Sequence, residues 1–323
     1  MTPTTMERKP AASRPYHAMA RFGLPFLIVA IAVITGIREP HFWSPANVQN
    51  LARQSAPLQI LVIGQLFALL SGGLDLSVAS VMACSGVVGI LAVPYVGLGG
   101  SLLVMVLVGL LFGLANGALI VGFSVSPFIV TLGMLSVAKG LSLLFTGGLP
   151  LYTVPDSLVD NLGFGAVFGV PASSIVAFAA MLAWALVLRN TVFGRHVYAV
   201  GSNAVAAHNS GVRVGRVLLT VYAISGATSG LAAIIMTAWV SAAQPLAGEG
   251  MELQSIAAVV VGGVALAGGS GTMLQAFYGV VVLGLLSNAL NMAGVSSFLQ
   301  VLVVGVVILL AVIVDRLRTR EAI

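Results

Sequence analysis

From Leu76 to Ala138 the chain carries no Asp, Glu, Lys or Arg, and it is uncharged again from Val217 to Gly248 and from Leu253 to Val314. A helix that crosses a bilayer needs about 20 predominantly apolar residues, so each stretch has room for more than a core helix of a soluble domain requires. Charged residues are 7% and hydrophobic residues 59% of the 323, with a mean hydropathy of +1.09. A water-soluble domain of this size needs more polar surface than that. The run lengths do not suit barrel strands of about ten alternating residues. The fold class is therefore an all-α polytopic membrane protein.

The apolar runs fall at about 22–37, 58–72, 77–95, 98–123, 128–146, 174–189, 217–239, 255–268, 272–293 and 297–314, which makes about ten spans. Residues 1–21 read as a basic tail, 22–315 as the transmembrane domain and 316–323 as a second basic tail. The polar, proline-broken segment 38–57 reads as an interfacial loop with a short helix near 48–54. Lys and Arg mark cytoplasmic segments. With ten spans the basic clusters at the N-terminus, in the 189–216 loop and at Arg316, Arg318 and Arg320 share one side. The acidic loops at 147–173 and 240–252 fall opposite, so both termini are expected in the cytoplasm.

The chain also resembles itself. VSPFIVTL at 125–132 aligns without gaps on VSSFLQVL at 295–302, GLANGAL at 113–119 meets GLLSNAL at 284–290, and LDL at 74–76 resembles MEL at 251–253. Two five-span halves, about 40–146 and 174–315, would then have opposite topology, an architecture common in transporters.

Three groups of residues stand out. Asp75, between glycines and a span, suits capping of the helix that begins near Ser77. With Ser77 and Glu252 it forms a structural or gating set, and proton handling is its competing role. Asn116, Phe128, Thr131, Asn288 and Asn291 are polar or aromatic residues on otherwise apolar spans. An amide there can hydrogen-bond a hydroxyl of a polar solute and a ring face can pack on a cyclic one, although hydrogen bonding between helices is the commoner use. The third group is the polar, acid-free island Phe193–Arg216, with Arg195, Arg213 and Arg216.

GGLDLSVAS at 72–80, SPFIVTLGMLSVAKGLSLLFTGG at 126–148, FGRHVYAVGSNAVAAHNSG at 193–211, AAQPLAGEGMELQSIAAVVVGGVALAGGSGT at 242–272 and GVSSFLQVLVVGVVILLAVIVD at 294–315 together resemble the ribose-type sugar permeases of bacterial ABC importers. The resemblance implies a fold like that of type II importers and a homodimer in the inner membrane. A periplasmic sugar-binding protein would feed it and a cytoplasmic ABC ATPase would drive it. It makes 189–216 the coupling loop, with a helix over Ala204–Asn209. The residues that face the ATPase are then Gly201, Asn203, Ala206, Ala207, His208, Ser210 and Gly211. Two departures are Ala79, where such permeases often have glycine, and Ala206-Ala207-His208-Asn209-Ser210-Gly211, where they often read A-A-R-L-S-G. The second alters the face offered to a partner.

Other chemistries find little support. With no G-x-x-x-x-G-K-[ST] loop this chain is not expected to bind ATP, and the resemblance implies that ATP and Mg2+ are bound by the partner ATPase and no cofactor by this chain. His17, His41, His196 and His208 show no metal-ligand spacing, and Cys84 is alone. The basic balance sits at span ends and does not point to nucleic acid. Two alternatives remain: a proton-coupled secondary transporter, and an ABC permease for branched-chain amino acids.

Overall fold

The computed structural model describes residues 14–296, 298–303, 305–307, 309 and 313. Most of the N-terminal tail and all three arginines of the C-terminal tail lie outside these residues. Helix α1 (Arg14–Arg38) begins eight residues before the apolar run expected at residue 22. A short 3₁₀ turn (Pro40–Trp43) leads to α2 (Pro45–Leu70). The segment expected to be an interfacial loop as far as residue 57 is thus largely the start of a 26-residue helix. Ser44 caps it by accepting from Asn47 N, and Pro45 takes the first position, where a missing N–H costs nothing. Pro57 sits inside, as spanning helices tolerate when neighbours satisfy the freed groups.

Helix α3 (Val78–Phe123) has 46 residues, which at about 1.5 Å each would be twice the thickness of a bilayer core if straight. It folds back instead. Gly97 has φ 67°, and the Ser101 hydroxyl donates to Gly89 O across 2.7 Å, a bond impossible between residues twelve apart on one straight helix. The two halves, α3a before Gly97 and α3b after it, correspond to the separate spans expected at 77–95 and 98–123. Helix α4 (Pro127–Thr146) follows, then a connection with a short helix α5 (Asp156–Leu158), a π-turn and a two-residue hairpin pairing β1 (Ala166–Val167) with β2 (Val170–Pro171). Next come α6 (Ala172–Asn190), α7 (Val192–Ser202), α8 (Ala204–Asn209), α9 (Val214–Val240), α10 (Met251–Val261) and α11 (Met273–Met292), and a last apolar helix covers Phe298–Val307.

The span expected at 255–268 is corrected: α10 stops at Val261, and the glycine-rich turns of 262–272 carry the chain onward. Eleven helical residues reach only about 16 Å, roughly half a hydrocarbon core. Irregular backbone can complete the path because it packs on protein: Gly269 N donates to Leu70 O (3.0 Å) and the Tyr198 hydroxyl to Gly271 O (2.7 Å).

Helices α2 and α9 form the centre. Ala56 through Leu70 are buried without interruption, and α9 packs between α2 and α3b. α3b meets α9 along glycines. A Cβ on Gly226 would run into Gly109 O and lie 2.7 Å from Gly113 Cα, so the two backbones touch. Such close approach is how helices associate where lipid removes the hydrophobic drive between them. The outer helices α1, α4 and α6 expose Phe26, Ile34, Leu144, Phe178 and Leu182, an apolar surface suited to lipid and not to water.

Contacts sort the connections into two ends. At one end lie 71–74, 124–127, α7, α8 and 262–272; at the other lie 39–47, 147–171, 238–250 and the C-terminus of α11. The repeat-like segments occupy corresponding places. The turn between α3b and α4 is at the first end, and the turn between α11 and the last helix is at the second. Asp75 precedes α3 at the first end and Glu252 opens α10 from the second.

Candidate coupling surface and polar cavity

At the first end, α7 is capped by Thr191, whose hydroxyl oxygen accepts from Gly194 N at 3.1 Å. Asn203, extended at φ −162°, breaks the chain between α7 and α8 and caps α8 by accepting from Ala206 N at 2.9 Å. Ser210 donates to Ala206 O (2.9 Å), and Gly211, at φ 84°, turns the chain back so that Val212 N reaches Ala207 O (3.0 Å). A six-residue helix does not hold alone in water. The caps and one buried anchor, Ala207 at 6% exposure, fix it to the body. Ala206, His208 and Asn209 face outward, as does Val205 at 71%, which sequence reasoning passed over.

The helix expected at Ala204–Asn209 has those bounds. Gly211 is a turn, but Gly201 belongs to the last turn of α7. Its Cα side lies against the end of α2, where a Cβ would run into Leu70 O and stand 2.7 Å from Gly269 N. The exposed side of α8 is therefore connected through α7 to both α2 and the 262–272 turns.

Asp75 lies beside this junction and is 1% exposed. Its Oδ1 accepts from Ser77 N (2.9 Å) and Ser77 Oγ (2.6 Å), and its Oδ2 accepts from Ser225 Oγ of α9 (2.6 Å). Asn116 Nδ2 on α3b donates to Ser77 Oγ at 2.9 Å. The Tyr222 hydroxyl donates to Leu74 O at 3.3 Å. The carboxylate thus ties the start of α3 to α9 and α3b. Thr131 is buried and donates to Pro127 O (2.8 Å), while Phe128 is half exposed at the start of α4.

At the second end a cavity of about 480 Å³ is lined by Asn47, Asn50, Gln54, Trp239, Asn288, Asn291 and Met292. Asn47 and Asn288 exchange hydrogen bonds, Nδ2 to Oδ1 at 3.1 and 2.9 Å. Asn50, Gln54 and Asn291 make no side-chain hydrogen bond among the described residues. Of the five pathway candidates, the structure brings Asn288 and Asn291 together here and leaves Asn116, Phe128 and Thr131 near the first end. Asn116 and Asn288 each bond to a neighbouring segment, Asn116 Nδ2 to Ser77 Oγ and Asn288 to Asn47. The members not singled out from sequence, Asn47, Asn50 and Gln54, recur at i, i+3 and i+7 on one face of α2, a periodicity that the short helix expected near 48–54 covers only in part.

Glu252 accepts from Gly250 N at 3.2 Å through Oε2. Beside it Lys139 of α4 pairs with Glu249 at 2.7 Å. Both partners are substantially solvated, so the pair is worth about 1 kcal/mol at most.

The chain was compared with known proteins. The family model described as "Branched-chain amino acid transport system / permease component" matches residues 47–312. The ribose import permease protein RbsC of Bacillus subtilis (strain 168) is 39% identical over 302 residues, 90% of this chain and 92% of the relative. The D-allose transport system permease protein AlsC of Escherichia coli (strain K12) is 34% identical, covering 92% of each chain. The L-arabinose ABC transporter permease protein AraH of Azospirillum brasilense is also 34% identical, covering 95% of this chain and 90% of the relative. No solved structure matches. With the family match spanning nearly all the described helices, and full-length relatives that are themselves permeases, the chain belongs to the branched-chain amino acid transport system / permease component family and is a multi-pass membrane permease.

Proposed function

We propose that this chain is the membrane subunit of an ABC importer that moves a monosaccharide, such as a ribose-like pentose, another simple sugar or a polyol. Two copies would line the path and open it to one side at a time. ATP binding and hydrolysis would belong to a partner ATPase docked on α8, and a periplasmic protein would deliver the sugar. The first end is then cytoplasmic, together with both chain termini. The observation that carries this reading is α8 itself: a short helix capped at its start, anchored by Ala207 and presenting Val205, Ala206 and His208 to solvent. Membrane anchoring alone has no need of such a rigid, outward-facing element.

The polar cavity supports a sugar over a branched-chain amino acid. Among the described residues its lining is carboxamides, an indole and a thioether, with no ionisable group to meet the two charges of a zwitterion. Carboxamides donate to and accept from hydroxyls, and an indole face packs on a sugar ring.

The test is uptake of labelled sugars into proteoliposomes containing the full chain. Uptake should require the cognate ATPase, binding protein and ATP together. Ala206→Arg, on the exposed side of α8, should abolish uptake and stimulation of the ATPase while the protein inserts and melts as the parent does. Uptake by the chain alone that is collapsed by an uncoupler would establish the secondary-transporter alternative instead.

A further inference from the structure

We propose that a second cavity, of about 330 Å³, where α7 meets the start of α9, binds the phosphate of an anionic phospholipid. Its walls carry Arg213, Arg216 and His196, its apolar lining is Phe193 and Val217, and Gly211 and Thr220 complete it. No carboxylate lines it among the described residues, and the sequence holds none between Asp160 and Glu249. Among the described residues the arginines thus have no local counterion. The start of α9 adds to this field through its dipole, because its first turn has no acid to compensate it, although Val214 N and Arg216 N already bond to Val212 O and Arg213 O. The positive end of a helix dipole attracts anions, and planar guanidinium groups match phosphate oxygens.

The position selects a lipid over a free phosphate. The cavity lies where α6 has ended, at Asn190, and α9 begins, at Val214, which is the headgroup level if these helices span the bilayer. Next to it α3b ends in exposed Val121 and Phe123, and a Cβ on Gly215 would stand 2.8 Å from Val121 Cγ1. An acyl chain has apolar surface to follow from the same point at which its phosphate is held. The proposal rests on the membrane orientation of α6 and α9 but not on the transported substrate.

Native mass spectrometry of the full chain in detergent, with equal amounts of phosphatidylglycerol and phosphatidylcholine, tests it. Each basic contact at a membrane surface is worth about 1 kcal/mol, so two arginines give a preference for phosphatidylglycerol of roughly tenfold or more. Arg213→Gln/Arg216→Gln should reduce that preference to near one, while Arg189→Gln, a basic residue outside the cavity, should keep it. Thr220→Trp, which fills the cavity and leaves its charges in place, should also remove it, and this variant serves if the arginine pair does not purify. Equal retention of the two lipids by the parent would overturn the proposal. So would equal losses in Arg189→Gln, or full displacement of the lipid by millimolar inorganic phosphate.

Discussion

Replacing Asp75 separates a structural carboxylate from a proton carrier. In Asp75→Asn the remaining Oδ1 can still accept from Ser77 N, and the Ser225 hydroxyl can rotate to accept from the new amide, so both links survive in neutral form. The loss is then the difference between charge-assisted and neutral bonds, about 1–2 kcal/mol. In Asp75→Ala the Ser77 N–H is left buried without a partner, at about 1–3 kcal/mol, and both hydroxyls lose their acceptor. Ser225 can turn to a carbonyl of its own helix, but Ser77 precedes α3 and has none within reach of that kind. The total is about 3–5 kcal/mol, which lowers a melting temperature by on the order of 10 °C in a chain of this size. Thermal melting in detergent and sugar uptake in the reconstituted importer should therefore move together: Asn close to the parent in both, Ala clearly below it in both. If Asp75→Asn abolished uptake while melting as the parent does, the charge or its proton would be part of transport, and the structural account of Asp75 would be wrong.

Two further substitutions probe the helix seam and the polar cavity. Gly226→Ala places a methyl group against the backbone of α3b at Gly109 and Gly113, where no side chain can move aside. It should cost about 3 kcal/mol, the upper range for overpacking, and appear as lower melting and poor yield, whereas Gly140→Ala on the open face of α4 should be neutral. Asn50→Ala and Asn291→Ala remove amides that face the cavity without holding helices together, so uptake should fall several-fold with melting unchanged. Asn288→Ala also breaks the reciprocal bond to Asn47, and should lower both uptake and melting.

The long uncharged runs made the membrane class and most helices legible, because hydropathy over about 20 residues is decided by the solvent. The six-residue helix α8 is also legible, since Asn203 and Gly211 punctuate it and the surrounding residues are polar. The start of α2 is legible only in part, as a short helix near 48–54 inside a loop, for the converse reason. Its first three turns are polar because they face a cavity and bond the 147–171 connection, with Gln49 donating to Gly169 O (3.1 Å) and Arg53 to Phe164 O (3.0 Å). In a membrane protein, polarity normally marks a loop, and only the Ser44-Pro45 start signal and the i, i+3, i+7 spacing of amides argued against it. The early end of α10 is signalled only by its glycines, Gly262-Gly263 and Gly268-Gly269, because the apolar residues between them carry no sign that Gly269 N bonds to Leu70 O and Gly268 N to Ala265 O.

That correction to α2 bears on how the two ends communicate. One unbroken helix of about 39 Å now carries Asn47, Asn50 and Gln54 at the cavity and Leu70 at the junction with Gly201 and Gly269. Had residues 38–57 been a loop, movement at α8 would have met a flexible segment before it reached the amides. Instead α7 meets the end of α2 with Gly201 directly against Leu70 O, and beside this backbone contact Phe193 of α7 stacks on Phe67 of α2 at a ring separation of 6.0 Å. The burial of Ala56 through Leu70 on all sides confines α2 to sliding or tilting as a unit against α9. Such packed interfaces favour discrete arrangements over continuous deformation. Under the proposed function, the ATPase therefore need not reach the sugar path directly: a shift of α8 by a fraction of a helical turn, taken up at Gly201, is delivered at the far end as a change in where the carboxamides stand.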